Sequence, residues 1–266
     1  MLWRAAERRT GNPRMVLLRR FLFLLVLGGL HQLLQPGEAL LPYALGGLLI
    51  LLPTTFIPER MKAWVSLVFG VVATLVGGYS GGLLLIPGLF LVGFGLALLD
   101  APQRFEQCRK PALYLLFGGL AVAIPGILLQ LQHLDTAGFS PVSAYAGLEQ
   151  AAVYIGLAGL AMQSSSLRRG LIWFFAPLGR TALTCYVSAS AVGVLVALPF
   201  FAPLAEFSKR EMVKFTDGEM FGVWGACVLF LVLQSLVARW WLARFGQGPL
   251  EKLWRRVTWG NPSRSH

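Results

Sequence analysis

The stretch Ala63–Leu99, AWVSLVFGVVATLVGGYSGGLLLIPGLFLVGFGLALL, carries no charge and is broken only by the glycine cluster Gly77-Gly78-Tyr79-Ser80-Gly81-Gly82. A bilayer core of about 30 Å takes around 20 apolar residues of helix. The run therefore supplies two crossings, near residues 63–77 and 83–99, with the cluster as the turn between them. On this reading the glycines four apart, Gly77/Gly81 and Gly78/Gly82, serve the turn rather than helix packing. Further uncharged stretches lie on either side: Ala39–Ile57, Ala112–Leu134, Thr181–Ala205 and Met220–Ala238. Runs such as Leu48-Leu49-Ile50-Leu51-Leu52 do not alternate apolar with polar, which argues against a β-barrel.

Composition agrees. The 266 residues are 56% hydrophobic and 13% charged, with mean hydropathy +0.66, against roughly 25% charged in a soluble domain. The expected fold is all-α, a polytopic transmembrane helix bundle of about eight spans near 21–35, 39–57, 63–77, 83–99, 112–131, 145–163, 182–198 and 219–238. Residues 1–20 form a basic cytoplasmic N-terminal segment, 21–242 the transmembrane helical domain, and 243–266 a basic amphipathic cytoplasmic tail.

The net charge of +11 could signal nucleic acid, but its placement decides otherwise. Counting Lys and Arg on alternate sides of the spans puts 20 on one side and three, Lys209, Arg210 and Lys214, on the other. The positive-inside rule then places both ends in the cytoplasm, N-in and C-in, as expected for a multi-pass protein of the cell inner membrane. No basic residues remain for a nucleic-acid face; the partner is the lipid bilayer. Cys108, Cys185 and Cys227 are odd in number and lack C-x-x-C spacing, so they read as small apolar packers rather than disulfide or zinc ligands. The Arg-rich start has no A-x-A site after it and reads as a retained first span rather than a signal peptide.

Two segments read as interfacial. The loop near 199–218 mixes charges of both signs with Phe200, Phe201, Phe207, Met212 and Phe215. Gly248 to Gly260, with Pro249 at a first helical position and apolar residues at 250, 253, 254 and 257, describes a short amphipathic helix whose Trp254, Arg255 and Arg256 suit a headgroup layer.

Ionisable groups inside a membrane cost about 2.5 to 3.5 kcal/mol each and so mark candidate sites. His31 falls one turn before the outer end of the first span, and Glu38 opens the second across the Pro36-Gly37 turn. An imidazole exchanges a proton near neutral pH, and a neighbouring carboxylate orients it. The bland alternative is a histidine satisfied by a carbonyl or headgroup water. Glu149, near the outer end of the sixth span, is a proton or substrate site or else reaches water. His133-Leu134-Asp135 offers two metal-type ligands, but a site needs three or four, so no metal is expected. Thr181, Thr184 and Ser188 share one face of the seventh span. They either bond their own helix or line a polar path with Arg180 at its cytoplasmic mouth, where it would hold an anionic group. No P-loop, G-x-S-x-G, H-E-x-x-H or G-x-G-x-x-G pattern occurs in its required context.

Leu17-Leu18-Arg19-Arg20 through Gly28-Gly29-Leu30-His31, followed by Pro36-Gly37-Glu38-Ala39-Leu40-Leu41-Pro42-Tyr43-Ala44-Leu45, resembles the YeiB-like family containing the domain of unknown function 418, which shows R-R, G-x-x-H, G-D-I-L and Y-A. Gly179-Arg180-Thr181-Ala182-Leu183-Thr184-Cys185-Tyr186 is similar to the family's G-R-M-A-L-T-N-Y. Gly248-Pro249-Leu250-Glu251 with Trp254-Arg255 is similar to its G-P-L-E-x-x-W-R. The resemblance runs from about residue 14 to the end. Glu38 stands where Asp is usual, Cys185 where Asn is usual, and Ala189 where Gln commonly follows; the last two remove amides from the span 7 face. Members usually begin with further spans including L-D-x-x-R-G, to which nothing in 1–20 is similar. Met1 is then an internal start, a truncated product or the start of a shortened member.

The family looks like a distant relative of membrane acyltransferases that carry acyl groups to extracytoplasmic acceptors with a membrane histidine. The resemblance implies a role for His31, by analogy. On the acyltransferase reading, His31 and Glu38 are the catalytic residues and Tyr43, Glu149, Arg180 and Thr184 the substrate-binding ones, with an acyl donor and an extracytoplasmic acceptor as partners. The alternatives are a transporter of a small solute or lipid, for which inverted repeats are not apparent, and a truncated inactive member.

Overall fold

The computed structural model describes residues 6–8, 10, 12–133, 140–200 and 217–259, without the side chains at 106, 195–200 and 217–220. Among these, all regular structure is helical. In chain order the helices are α1 (Pro13–Leu34), α2 (Leu40–Thr54, with one π-helical turn at Gly47–Leu51), α3 (Glu59–Ser80), α4 (Leu85–Leu98), α5 (Ala101–Gln107), α6 (Arg109–Leu131), α7 (Pro141–Gln163), α8 (Ser165–Arg180), α9 (Ala182–Phe200), α10 (Asp217–Phe245) and α11 (Pro249–Trp259). Among the described residues, four stretches are long and apolar enough to cross a membrane: α1, α3, α6 and Phe221–Phe245 of α10. Leu40–Thr54, Gly82–Leu98 and Ala182–Val194 are shorter apolar helices.

Helix α3 identifies the solvent. Lys62, Ser66, Gly70, Thr74, Gly77 and Gly78 recur at helical spacing and are all buried, whereas Val68, Phe69, Val72 and Val76 on the other faces are 54–65% exposed. A helix in water would bury the valines and show the lysine. This inverted helix has its apolar side chains outward, as lipid requires, and its small and polar residues inward, as helix contacts in lipid require. The protein is a membrane protein.

Chain contacts divide the molecule into two compact units: residues up to 28 with 39–169, and 29–38 with residues from 170 onward. In the first unit, α3 and α4 form one tight hairpin and α6 and α7 another. The first hairpin turns at Gly81 (φ +74°) and Gly82 (φ +59°), a conformation that residues with a Cβ rarely adopt. Gly77 and Gly78 are helical, which corrects the expected turn at its N-terminal end. A Cβ on Gly77 would run into the Leu84 carbonyl, and one on Gly78 would stand 2.6 Å from the Tyr145 ring. These two are packing residues after all. A Cβ on Gly70 would stand 2.6 Å from the Val92 nitrogen. The Thr74 hydroxyl is occupied by the Gly70 carbonyl at 2.8 Å. Leu17 and Phe21 pack with Leu24, Leu48, Leu51, Leu52 and Phe94, and only a glycine at position 47 leaves room for the Phe21 ring. That contact lies at the π-helical turn, where the α2 ladder is widened.

In the second unit, the part of α8 from Gly170 is followed by α9, α10 and α11, together with the end of α1 and its turn. Helix α8 falls where the sequence suggested a basic inside loop. Its apolar run, Leu171–Phe175, is too short for a crossing and sits beside Arg168 and Arg169, so length alone hid it. The expected interfacial segment at 201–216 lies outside the described residues. The expected amphipathic helix near the C-terminus is α11, with Leu253 and Val257 exposed.

Small-residue contact carries the α3/α4 hairpin, and this is testable. A Cβ on Gly88 would overlap the Thr74 backbone, whereas one on Gly93 meets nothing within 4 Å. Gly88→Ala should cost about 1–3 kcal/mol through overpacking and lower the thermal midpoint of detergent-purified protein. Gly93→Ala should leave it unchanged.

Candidate functional site

Helix α1 ends at a tight reversal. Gln35 N–H bonds the His31 carbonyl at 2.9 Å, Gly37 takes φ +83°, and Glu38 is returned to the face of His31. Their separation of seven residues becomes a hydrogen bond of 3.2 Å between His31 Nδ1 and Glu38 Oε2. Both are buried, at 4% and 2% exposure. Burial of this kind is costly unless the groups are bonded. The His31 ring also meets Tyr186 of α9 edge to face, with centroids 5.3 Å apart at 60°. With Nδ1 donating to the carboxylate, Nε2 carries the lone pair. Nε2 is buried and has no hydrogen-bond partner among the described residues.

Thr184 lies in the first turn of α9, where backbone N–H groups lack helical partners. Its N–H donates to Glu251 Oε1 at 2.9 Å and its hydroxyl to Glu251 Oε2 at 2.5 Å. In return, Leu250 N–H in the first turn of α11 donates to the Thr184 hydroxyl oxygen at 3.2 Å. Two helix starts thus cap one another, and the carboxylate faces the positive end of α9. Thr181 donates to the Pro177 carbonyl at 2.9 Å and Ser188 to that of Cys185 at 3.1 Å. All three hydroxyls of the expected polar path are therefore bonded, two within their own segment and one to α11. Gln234 of α10 donates to the Cys185 carbonyl at 2.7 Å and reaches the Ser188 hydroxyl at 3.3 Å. It brings an amide to the face from which Cys185 and Ala189 remove one.

Arg180 closes α8 and donates to the Gly246 carbonyl at 3.1 Å. Pro177, lacking an N–H, leaves the Trp173 carbonyl without its helical donor, and the Arg239 guanidinium supplies one.

Two further candidates, Tyr43 and Glu149, belong to the first unit. Tyr43 is 43% exposed, its ring 5.7 Å from that of Phe90. Glu149 lies against Gly126, just past the proline break at Pro125 in α6, and its Oε2 is buried without a hydrogen-bond partner among the described residues. His133 Nδ1 bonds the Leu129 carbonyl of its own helix at 2.9 Å, and Asp135 lies outside the described residues. Among the described residues no group of three or more His, Cys, Asp or Glu side chains is placed to hold a metal ion. Sequence reasoning gave no role to Gln234 and Arg239, which carry no local signal. It quoted Tyr186 and Glu251 only as parts of motifs, although an acidic residue behind a first-position proline is itself a capping signal.

An all-helical membrane protein with a buried histidine–carboxylate pair is the class that fold and cluster define. The family model for "Protein of unknown function (DUF418)" matches residues 97–261, and the chain belongs to that family. The matched segment includes Glu149, Arg180, Thr184, Tyr186 and Glu251; His31, Glu38 and Tyr43 precede it. An "Uncharacterized 39.9 kDa protein in amylase 3'region" from Bacillus acidopullulyticus is 27% identical over 274 residues, spanning 96% of this chain and 74% of that protein. No solved structure matches.

The reciprocal cap predicts that Glu251→Ala will cost about 1–2 kcal/mol, the range for losing a helix cap. The variant should melt earlier and be cut faster by trypsin at Lys252 and Arg255, while Glu251→Gln, which keeps an acceptor, should fall between it and the parent.

Proposed function

We propose that the protein is an acyltransferase of the cell inner membrane, with both ends in the cytoplasm, in which His31 is the general base and Glu38 orients it. The observation that carries this reading is the buried imidazole whose Nδ1 is engaged by Glu38 while Nε2 is left with no partner among the described residues. Nε2 takes the proton of an acceptor hydroxyl as that oxygen forms its bond to the acyl carbon. The bond from that carbon to the donor's thiolate breaks, and the imidazolium returns the proton to the departing sulfur. The Tyr186 edge holds the ring during both transfers. Arg180 is the cation for an anionic donor on the cytoplasmic side, and the acceptor lies outside the cytoplasm.

A positioned base supplies roughly 10²- to 10⁴-fold of rate. Membranes containing the protein, given radiolabelled acetyl-coenzyme A, should transfer label to an envelope acceptor. His31→Ala should lower that rate by about the same factor, and Glu38→Gln by less. Unchanged transfer in His31→Ala, or solute flux in proteoliposomes without consumption of donor, would overturn the proposal in favour of a carrier.

A further inference from the structure

We infer that the cleft between α8 and α10, lined by Arg180 and Arg239, is a binding site for a phosphate-bearing anion. The cleft measures about 340 Å³, and Ile172, Trp173, Pro177 and Leu242 are among its other walls. All of these residues belong to the second unit.

Two arginines on one apolar cleft need an explanation. Part of it is structural, because each donates to a main-chain carbonyl, Arg180 to Gly246 and Arg239 to Trp173. Carbonyl bonds orient a guanidinium without neutralising it. Each guanidinium has five N–H donors, and among the described residues neither arginine forms an ion pair with a carboxylate. Arg239 Nε is buried without a hydrogen-bond partner among them, while the same guanidinium lies over the Trp173 ring, its carbon 3.9 Å from the centroid. This cation–π contact helps hold the group in the cleft without neutralising it. Two guanidiniums carry two positive charges, which matches a phosphate ester better than a single carboxylate. The volume is at the low end of the roughly 300–1,000 Å³ of small-molecule sites. It admits a phosphate with a short stem, so the rest of a larger ligand stays outside.

The phosphate can come from a soluble acyl donor or from a phospholipid headgroup. The first source rests on the acyl-transfer reading; the site itself does not. Full-length protein purified in dodecyl maltoside would be titrated calorimetrically with inorganic pyrophosphate and, separately, with dihexanoyl-phosphatidylglycerol below its micellar concentration. At least one should bind with one-to-one stoichiometry and weaken as salt is raised. Affinity should fall about tenfold in Arg180→Gln, an exposed position where the amide still offers a donor, and several-fold in Arg239→Lys, which keeps a donor for Trp173 but loses the fork. Pyrophosphate binding without lipid binding identifies a soluble source, and the reverse a headgroup. His31→Ala should lose transfer and keep anion binding, which separates failure of this site from failure of the reaction. Absence of binding by both probes, or unchanged affinity in Arg180→Gln, would overturn the inference.

Discussion

The constraint on which everything else rests is that the solvent is hydrocarbon. Lipid offers no hydrogen bonds, so each polar group has to find its partner inside the protein. Lys62 does so with Glu59, Thr74 with Gly70, Tyr145 with the Leu75 carbonyl and His31 with Glu38. The same solvent removes the usual reason for apolar side chains to gather inward. What holds the helices together is close approach, and glycine provides it at positions 70, 77, 88, 119 and 156, where a Cβ would stand within 3.0 Å of a neighbour's backbone. A polar inside and an apolar outside follow from one cause.

Proline breaks make local exceptions that the second unit exploits. Pro177 frees the Trp173 carbonyl, and Arg239 is drawn to it from another helix. One turn later the Pro177 carbonyl takes both the N–H and the hydroxyl of Thr181, so α8 ends and α9 begins within a single residue. Thr184 then stands where Glu251 can cap it. Four helices, α8 to α11, are tied together by groups that one missing N–H and two helix starts left unsatisfied.

How much of this the sequence reveals depends on the range of the interaction. All eight stretches expected as spans are helical, because length and hydropathy are local properties of a chain in lipid. The histidine–carboxylate pair was equally legible, since Pro36-Gly37 is a recognisable turn and its flanks must meet. Helix α8 was not, because a short apolar run between arginines reads as loop. Tyr186, Glu251 and Arg239 owe their places to contacts with residues more than sixty positions away, or, for Tyr186, across most of the chain. No local pattern encodes those.

The short span between His31 and Glu38 also matters before the protein is complete. Closing a loop of seven residues costs little chain entropy. Synthesis reaches Glu38 long before Tyr186, so the two polar groups can meet before α9 is made. The insertion machinery then handles a bonded pair in place of two isolated polar groups, and α9 arrives later at a surface already formed. Insertion and the burial of the pair thus share one turn, and the glycine at position 37, with φ +83°, serves both.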